Sequence, residues 1–289
     1  MTETKSERIA RFVNAAVLII IALIIAYPFV YIISASISSA DAYLTGKVVL
    51  FPKDITFAAY KQIFSDTSIW MAYVNTIFYT AIGTVVSVLL TMLGAYPLSK
   101  KYLPGAGIIM KVLVFTMWFS PGMIPFYMTM KDYNLLDNRW GIIIGFALST
   151  FNVILMKNFF ESIPNAMEEA AMVDGANDFV IFSKIFMPLS IPAITTIALF
   201  YGVSRWNGYF WAMILLQDDK KIPLQVLLKK LIVSASAKSE YASINTQQKF
   251  SSETIIYATI VVSTLPIMIV YPYIQKYFIK GVMIGAVKG

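Results

Sequence analysis

The chain has 289 residues, 58% of them hydrophobic and 13% charged, with a mean hydropathy of +0.70 and a net charge of +7; soluble domains hold roughly 45–50% apolar and about 25% charged residues, so this is a membrane protein. It contains no cysteine and no histidine, which excludes disulfides, thiol nucleophiles, imidazole acid–base catalysis and metal clusters built on those ligands. The basic excess is scattered among apolar runs rather than gathered in a stripe, which favours loops at an anionic membrane surface over nucleic acid as a partner.

Residues 1–11 carry Lys5, Arg8 and Arg11 and precede an uncharged run over 12–33. Ser34-Ala35-Ser36 would serve as a cleavage site for a signal peptide, but the run is longer than the usual apolar region of one and reads as the first transmembrane span. From Ser38 to Asp66 charges mix with Leu50, Pro52, Phe57 and Tyr60. This predicts an extramembrane loop with one short surface helix around Phe57 to Phe64. A second span covers about 70–98, and within it Gly83, Ser87, Thr91 and Ala95 recur every four residues. Such a stripe of small residues lets a neighbouring helix approach closely.

After a turn at Lys100, Lys101, Pro104 and Gly105, the third span, about 110–130, is interrupted by Ser120-Pro121-Gly122 and Pro125. Broken backbone at membrane depth either lines a wet cavity or is buried as a kink in a packing helix. The fourth span, about 140–158, opens with the pair Gly141 and Gly145. A charged segment over 161–187 follows, centred on Glu168-Glu169-Ala170-Ala171-Met172-Val173-Asp174-Gly175-Ala176. It reads as a helix, a stop and a second helix. Pro164 suits a first turn, Gly175 suits a left-handed stop, and Asn177 or Asp178 caps the next turn.

The fifth span, about 188–214, carries one charge, Arg205, beside Trp206, Asn207 and Tyr209. An ionisable residue in a span is a functional candidate by default. Donor, amide and aromatic faces of this kind suit a sugar, and Arg205 would suit an acidic one; the alternative is that Arg205 pairs with a neighbouring helix. A polar loop over 218–253 holds an amphipathic helix at Leu224 to Val233, the sixth span is about 254–275, and 276–289 form a tail. Six spans put both termini on one side. Counting Lys and Arg leaves that side open: eleven fall on each face, and Arg205 in a span completes the 23.

Glu169-Ala170-Ala171, Asp174-Gly175-Ala176, Ile185, Pro188 and Pro192 fall as in the "EAA" loop of ABC importer permeases, with Met187 in place of the usual Leu. Trp206-Asn207, Gln275-Lys276-Tyr277-Phe278-Ile279-Lys280-Gly281 and Gly285-Ala286-Val287-Lys288-Gly289 extend the match over essentially the whole chain. The sequence therefore resembles the maltose-type carbohydrate permeases, MalG-like and LplC-like, of binding-protein-dependent importers.

The resemblance implies an all-α membrane protein of the type I importer permease fold, with six spans in a bacterial cell membrane. Both termini and the loop at 161–187 would be cytoplasmic, the residues between 12 and 275 forming the permease domain. Glu168, Glu169, Ala170, Ala171, Asp174, Gly175 and Ala176 would couple the chain to ATPase subunits. Arg205, Trp206, Asn207 and Tyr209, with the break at Ser120, Pro121 and Gly122, would line the substrate path. The implied partners are a second homologous permease, two ATP-binding subunits, an external solute-binding protein that meets the loop at 218–253, an oligosaccharide and membrane lipid. No Gly-xxxx-Gly-Lys-Ser/Thr phosphate loop occurs in the chain, so it is not an enzyme with its own ATPase site, and ATP with Mg belongs to the partner subunits. Two readings from other classes find less in the sequence. A stand-alone secondary carrier or channel predicts internal repeats and carboxylates inside spans. An intramembrane enzyme predicts a catalytic pair there. Within the ABC class the alternative is a permease for a non-sugar solute such as a peptide or amino acid, against which Gly285-Ala286-Val287-Lys288-Gly289 argues for sugars.

Overall fold

The computed structural model describes residues 5–241 and 253–272. The chain forms two compact units, one of residues up to Ile69 with Leu228–Leu265 and one of Trp70–Leu227 with residues from Pro266 onward.

In the first unit, α1 (Lys5–Ser36) is uncharged from Phe12 onward and its faces are open as far as Ile33, as a helix needs to be when its surroundings are lipid or another chain. The following loop is tied back to its end. Ser34 Oγ donates to the Leu50 carbonyl at 2.7 Å, Ser38 Oγ donates to the Ser34 carbonyl at 2.6 Å, and the same Ser38 hydroxyl accepts from Lys53 N. Two short helices, α2 (Ala40–Leu44) and α3 (Ala58–Ser65), occupy the loop. Only α3 is predicted. The capping pattern at α2 explains the addition: the Ser39 hydroxyl accepts from Ala42 N, satisfying an orphan donor of the first turn.

The second unit is built on α4 (Thr67–Leu98), whose stripe of small residues is the face it buries: Ser87, Thr91 and Ala95 are fully enclosed. Helix α5 (Ala106–Trp118) and α6 (Met123–Asp132) meet at 117° across Ser120-Pro121-Gly122. The fourth predicted span is not one helix. It divides into α7 (Arg139–Ile144) and α8 (Thr150–Glu161), with an irregular stretch over 145–149. Gly145 belongs to this arrangement, because a Cβ there would run into the end of the Met130 side chain of α6 and the Gly141 carbonyl.

Helix α9 (Asn165–Val173) leads to α10 (Asp178–Leu189), which includes a π turn over Phe182–Phe186. At Ser190 the chain bends by 79° into α11 (Ile191–Asn207). Pro192 lacks the N–H that would continue the ladder across that point. The fifth predicted span then breaks again at Gly208 and Tyr209, before α12 (Phe210–Leu215). Helix α13 (Leu224–Tyr241) extends the predicted amphipathic segment, and α14 (Glu253–Pro272) is the sixth span as far as it is described. The motifs at 275–289 lie outside the described residues, as do 242–252.

Helices α1, α4 and α14 are each long and apolar enough to cross a membrane, and the pairs α5–α6 and α10–α11 pass the same test as bent segments. With the divided α7–α8 segment they account for the six predicted stretches. The main core of the second unit lies where α4, α8, α10 and α11 meet, around Met92, Tyr96, Met156, Phe160, Phe182, Phe186 and Ile197.

Candidate functional site

The charged segment folds as its composition demands. Pro164 stands just before α9, Asp174 closes it, and Gly175 turns at φ +80°, a conformation that costs any residue with a Cβ. The Gly175 and Ala176 amides return to the Met172 and Ala171 carbonyls at 3.0 and 2.9 Å, so carbonyls at the helix end are satisfied. Asn177 Oδ1 then accepts from Val180 N at 2.9 Å and caps α10.

The helix has two faces. Ala171 and Ala176 pack on the core, and their small size brings the bend close to it. Glu169, Ala170, Asp174 and Gly175 are exposed, in the company of Met167, Met172, Phe179 and Val173, the last 87% exposed. An uncovered apolar patch bordered by acidic side chains has the composition of a protein-docking surface.

Glu168 does not share that surface. Its Oε2 lies 2.7 Å from Lys100 Nζ, and both side chains are nearly buried, at 12% and 5% exposure. The approach is off the hydrogen-bonding axes, so the contact is Coulombic, and Oε1 is enclosed without a hydrogen-bond partner among the described residues. The ammonium group also sits 3.8 Å from the Phe186 ring centre and 4.4 Å from that of Tyr96. The doublet of glutamates therefore splits into one that faces out and one that faces in.

A second cluster lies at the end of α11. Arg205 points across to α4, where the absent side chain of Gly83 leaves room for the guanidinium plane. Its Nη2 donates to Ser87 Oγ at 2.8 Å and to the Ile143 and Phe146 carbonyls at 3.2 and 3.0 Å, and Nη1 donates to the Ile142 carbonyl at 3.3 Å. These carbonyls belong to the end of α7, so Arg205 caps a helix C-terminus, where positive charge is favoured. One turn earlier, the Tyr201 hydroxyl bonds Thr91 Oγ1 at 2.8 Å and accepts from Ser149 N at 3.0 Å. The stripe on α4 thus carries a polar ladder that anchors both halves of the divided fourth segment.

A cavity of about 320 Å³ adjoins this cap, lined by Arg205, Asn207, Tyr209, Trp211 and Tyr79 among others. Trp206 is turned away from it and packs edge-on against Tyr73. The break at Ser120, Pro121 and Gly122 is exposed and does not line the cavity. It acts at one remove, since it aims α6 so that Phe126 meets Trp211 at 4.6 Å and Phe146 at 5.3 Å.

Beyond the cavity, Asp137 gathers the loop at 217–221. Its Oδ1 accepts from Gln217 N and Asp218 N, and its Oδ2 accepts from Lys221 Nζ at 2.7 Å. The Lys221 side chain, followed by these amides, holds the Asp137 carboxyl below its ordinary range, and the same bond raises the Lys221 ammonium. Asn75 completes the staple by donating to the Lys220 and Ile222 carbonyls and accepting from Arg139 Nη2.

Sequence reasoning missed Lys100, Phe186 and the Asp137–Lys221 pair. Each looked like an ordinary turn or core residue, because its partner lies far along the chain. Ser87 and Gly83 were signalled by their spacing, though not their pairing with Arg205. Among the described residues no group of acidic side chains is arranged to hold a metal ion.

No protein-family model matches the chain. Its sequence is 44% identical over 94% of its length, and 96% of the relative's, to the polygalacturonan/rhamnogalacturonan transport system permease protein YtcP of Bacillus subtilis. It is 37% identical over its full length, and 98% of the relative's, to the protein LplC of the same organism. Among solved structures, a chain of a bacterial ABC transporter involved in the import of the acidic polysaccharide alginate superposes with a TM-score of 0.88 at 49% identity, covering 96% of this chain and 99% of that one. A chain of an alginate ABC transporter in complex with an alginate pentasaccharide-bound periplasmic protein superposes at 0.56 with 16% identity, which speaks to the fold.

Proposed function

This chain belongs to the carbohydrate ABC transport permeases, and from that premise we propose that it carries an acidic oligosaccharide across a bacterial cell membrane, with α9 and the Gly175 bend as its link to the ATPase. The chain is an integral membrane subunit of an ATP-driven sugar importer that works with a second permease, ATP-binding subunits and an external solute-binding protein. ATP and Mg are held by the ATP-binding subunits in this reading, and the chain has no cofactor and no catalytic site of its own. The loop at 161–187 and both termini face the cytoplasm.

The observation that carries the coupling assignment is the exposed acid and apolar patch around Glu169, presented on a short helix whose orientation is set by Gly175 at φ +80°. Glu169 would meet a basic side chain of the ATPase, while Met172, Val173 and Phe179 supply the apolar contact. Closure of the ATPase subunits on ATP would displace α9, and the spans on either side of it would rock between inward- and outward-open states. A loaded binding protein shifts that equilibrium only by preferring one of the two.

The acidic preference is supported by Arg205, a cation in a span whose four acceptors are all neutral and which borders a cavity with Asn207 and Tyr209. It is also supported by similar proteins that handle polygalacturonan and alginate.

The test is uptake by the reconstituted importer. Glu169→Lys and Gly175→Pro should each abolish ATP-dependent uptake of oligogalacturonate or oligoalginate while the binding protein's affinity for sugar stays unchanged. Normal uptake in both variants would overturn the coupling role.

A further inference from the structure

We propose that Lys100 is a positioning residue that clamps α9 to the end of α4, so that the coupling helix and the second span move as one body. The proposal rests on the reading of α9 as the coupling helix. The chain itself gives α9 covalent continuity with α8 on one side and with α10 on the other. Nothing covalent joins it to α4, yet Tyr96 in the last turn of α4 and Lys100 and Tyr102 in the turn just after it hold the bend from both sides.

On one side of Gly175, Lys100 reaches Glu168 in the first turn of α9 at 2.7 Å. On the other, the Tyr96 hydroxyl donates to the Asp178 carbonyl at 3.4 Å and the Tyr102 hydroxyl to Asp178 Oδ1 at 3.5 Å, both at the start of α10. The two longer bonds steer, and the buried pair holds.

The chemistry of the Lys100 site explains why it would act as a joint. An ammonium group taken out of water needs a counter-charge and polarisable surroundings, and removing either partner leaves the other charge stranded. Here the counter-charge is Glu168, and the surroundings are the faces of Phe186 and Tyr96, whose negative quadrupoles attract a cation. The two rings meet nearly edge-to-face at 5.1 Å and belong to the core shared by α4 and α10. Lys100 is therefore seated in the core rather than resting on it. Its site takes a cation only, since a carboxylate would face the same negative ring surfaces.

The chain has no cysteine, so spin labels can be placed at chosen pairs in it, in the complete importer assembled with cysteine-free partner subunits. One pair is Leu93→Cys on α4 with Asn165→Cys on α9, both exposed positions. The distance between them should be a single narrow distribution that does not shift when the complex is trapped with ATP and vanadate; a shift on trapping would overturn the proposal. In Lys100→Met or in Glu168→Gln the narrow distribution should be lost, and an unchanged distribution in an assembled variant would equally overturn it. The exchange Lys100→Glu with Glu168→Lys should fail to restore the distribution, and restoration would show that the aromatic cage has no part. A separate arm tests the underlying reading, with Val173→Cys probed for cross-linking to the ATPase subunit. Absence of that cross-link removes the coupling reading and this inference together, whereas a cross-link with a shifting 93–165 distance removes the clamp alone.

Discussion

The guanidinium of Arg205 sits within a span with four neutral acceptors and, among the described residues, no carboxylate opposite it. Its charge is offset by the carbonyl end of α7, whose partial negative charge is a weak substitute for a full anion. Two consequences follow for substitution. Arg205→Met strands up to four buried acceptors, at about 1–3 kcal/mol for each one that water cannot reach, and should lower the melting temperature of the detergent-solubilised complex. The same variant should lose preference for acidic over neutral oligosaccharides in competition uptake; a full melting penalty with preference intact would reduce Arg205 to a helix cap. Arg205→Lys should recover only part of the stability, because an ammonium has three donors and no planar fork. Glu168 makes a parallel point. It stands next to Glu169 in sequence, yet its environment assigns it an internal partner and leaves only Glu169 facing out.

At the scale of the element, α4 does the organising. Its small residues at every fourth position receive, in turn, the Arg205 guanidinium at Gly83 and Ser87, the Tyr201 hydroxyl at Thr91, and the core at Ala95. Gly83→Leu should therefore displace Arg205 and reproduce the melting and preference changes of Arg205→Met. The double variant should cost far less than the two single effects added, since both act on one contact; additive losses would mean that the stripe packs independently of Arg205.

The loop at 217–224 gives an element-scale prediction in pH. Asp137 has a folded value held below its ordinary one, so its contribution is present above the unfolded carboxylate range and disappears as pH falls through the depressed folded value. Lys221 is raised, so its contribution is present below the ordinary lysine range and disappears as pH rises through the folded value. Amide exchange at Gln217 and Asp218, corrected for intrinsic rates, should thus show protection through the neutral range and lose it on strong acidification. In Asp137→Asn that acid-side loss should be absent. An identical acid profile in the variant would exclude Asp137 as the titrating group.

For the whole molecule, the decisive prediction is topological. Positive-charge counting gives eleven basic residues on each face, so the direction of insertion rests on the coupling loop. A single cysteine at Val173, the most exposed apolar side chain of that loop, should react with a membrane-impermeant reagent only from the cytoplasmic side. Labelling of intact cells from outside would invert the topology and remove the coupling assignment with it.

The amino-acid sequence by itself determined the membrane class, the order of the apolar segments, the helix, stop and helix around Gly175, and the family. These depend on composition and on short-range rules: helix caps, glycine at positive φ, and apolar runs of spanning length. The sequence also marked the break at Ser120-Pro121-Gly122, because proline and glycine act on their own backbone. It did not reveal that the fourth segment divides at 145–149 or that Arg205 caps its first half, since those carbonyls come 59 to 63 residues before the guanidinium. Nor did it separate Glu168 from Glu169. Adjacent residues on a helix point about 100° apart, and only the packing of α9 against the end of α4 decides which of them meets Lys100 and which meets solvent. Local chemistry fixed the elements, and long-range burial decided which of their polar groups are joints and which are surfaces.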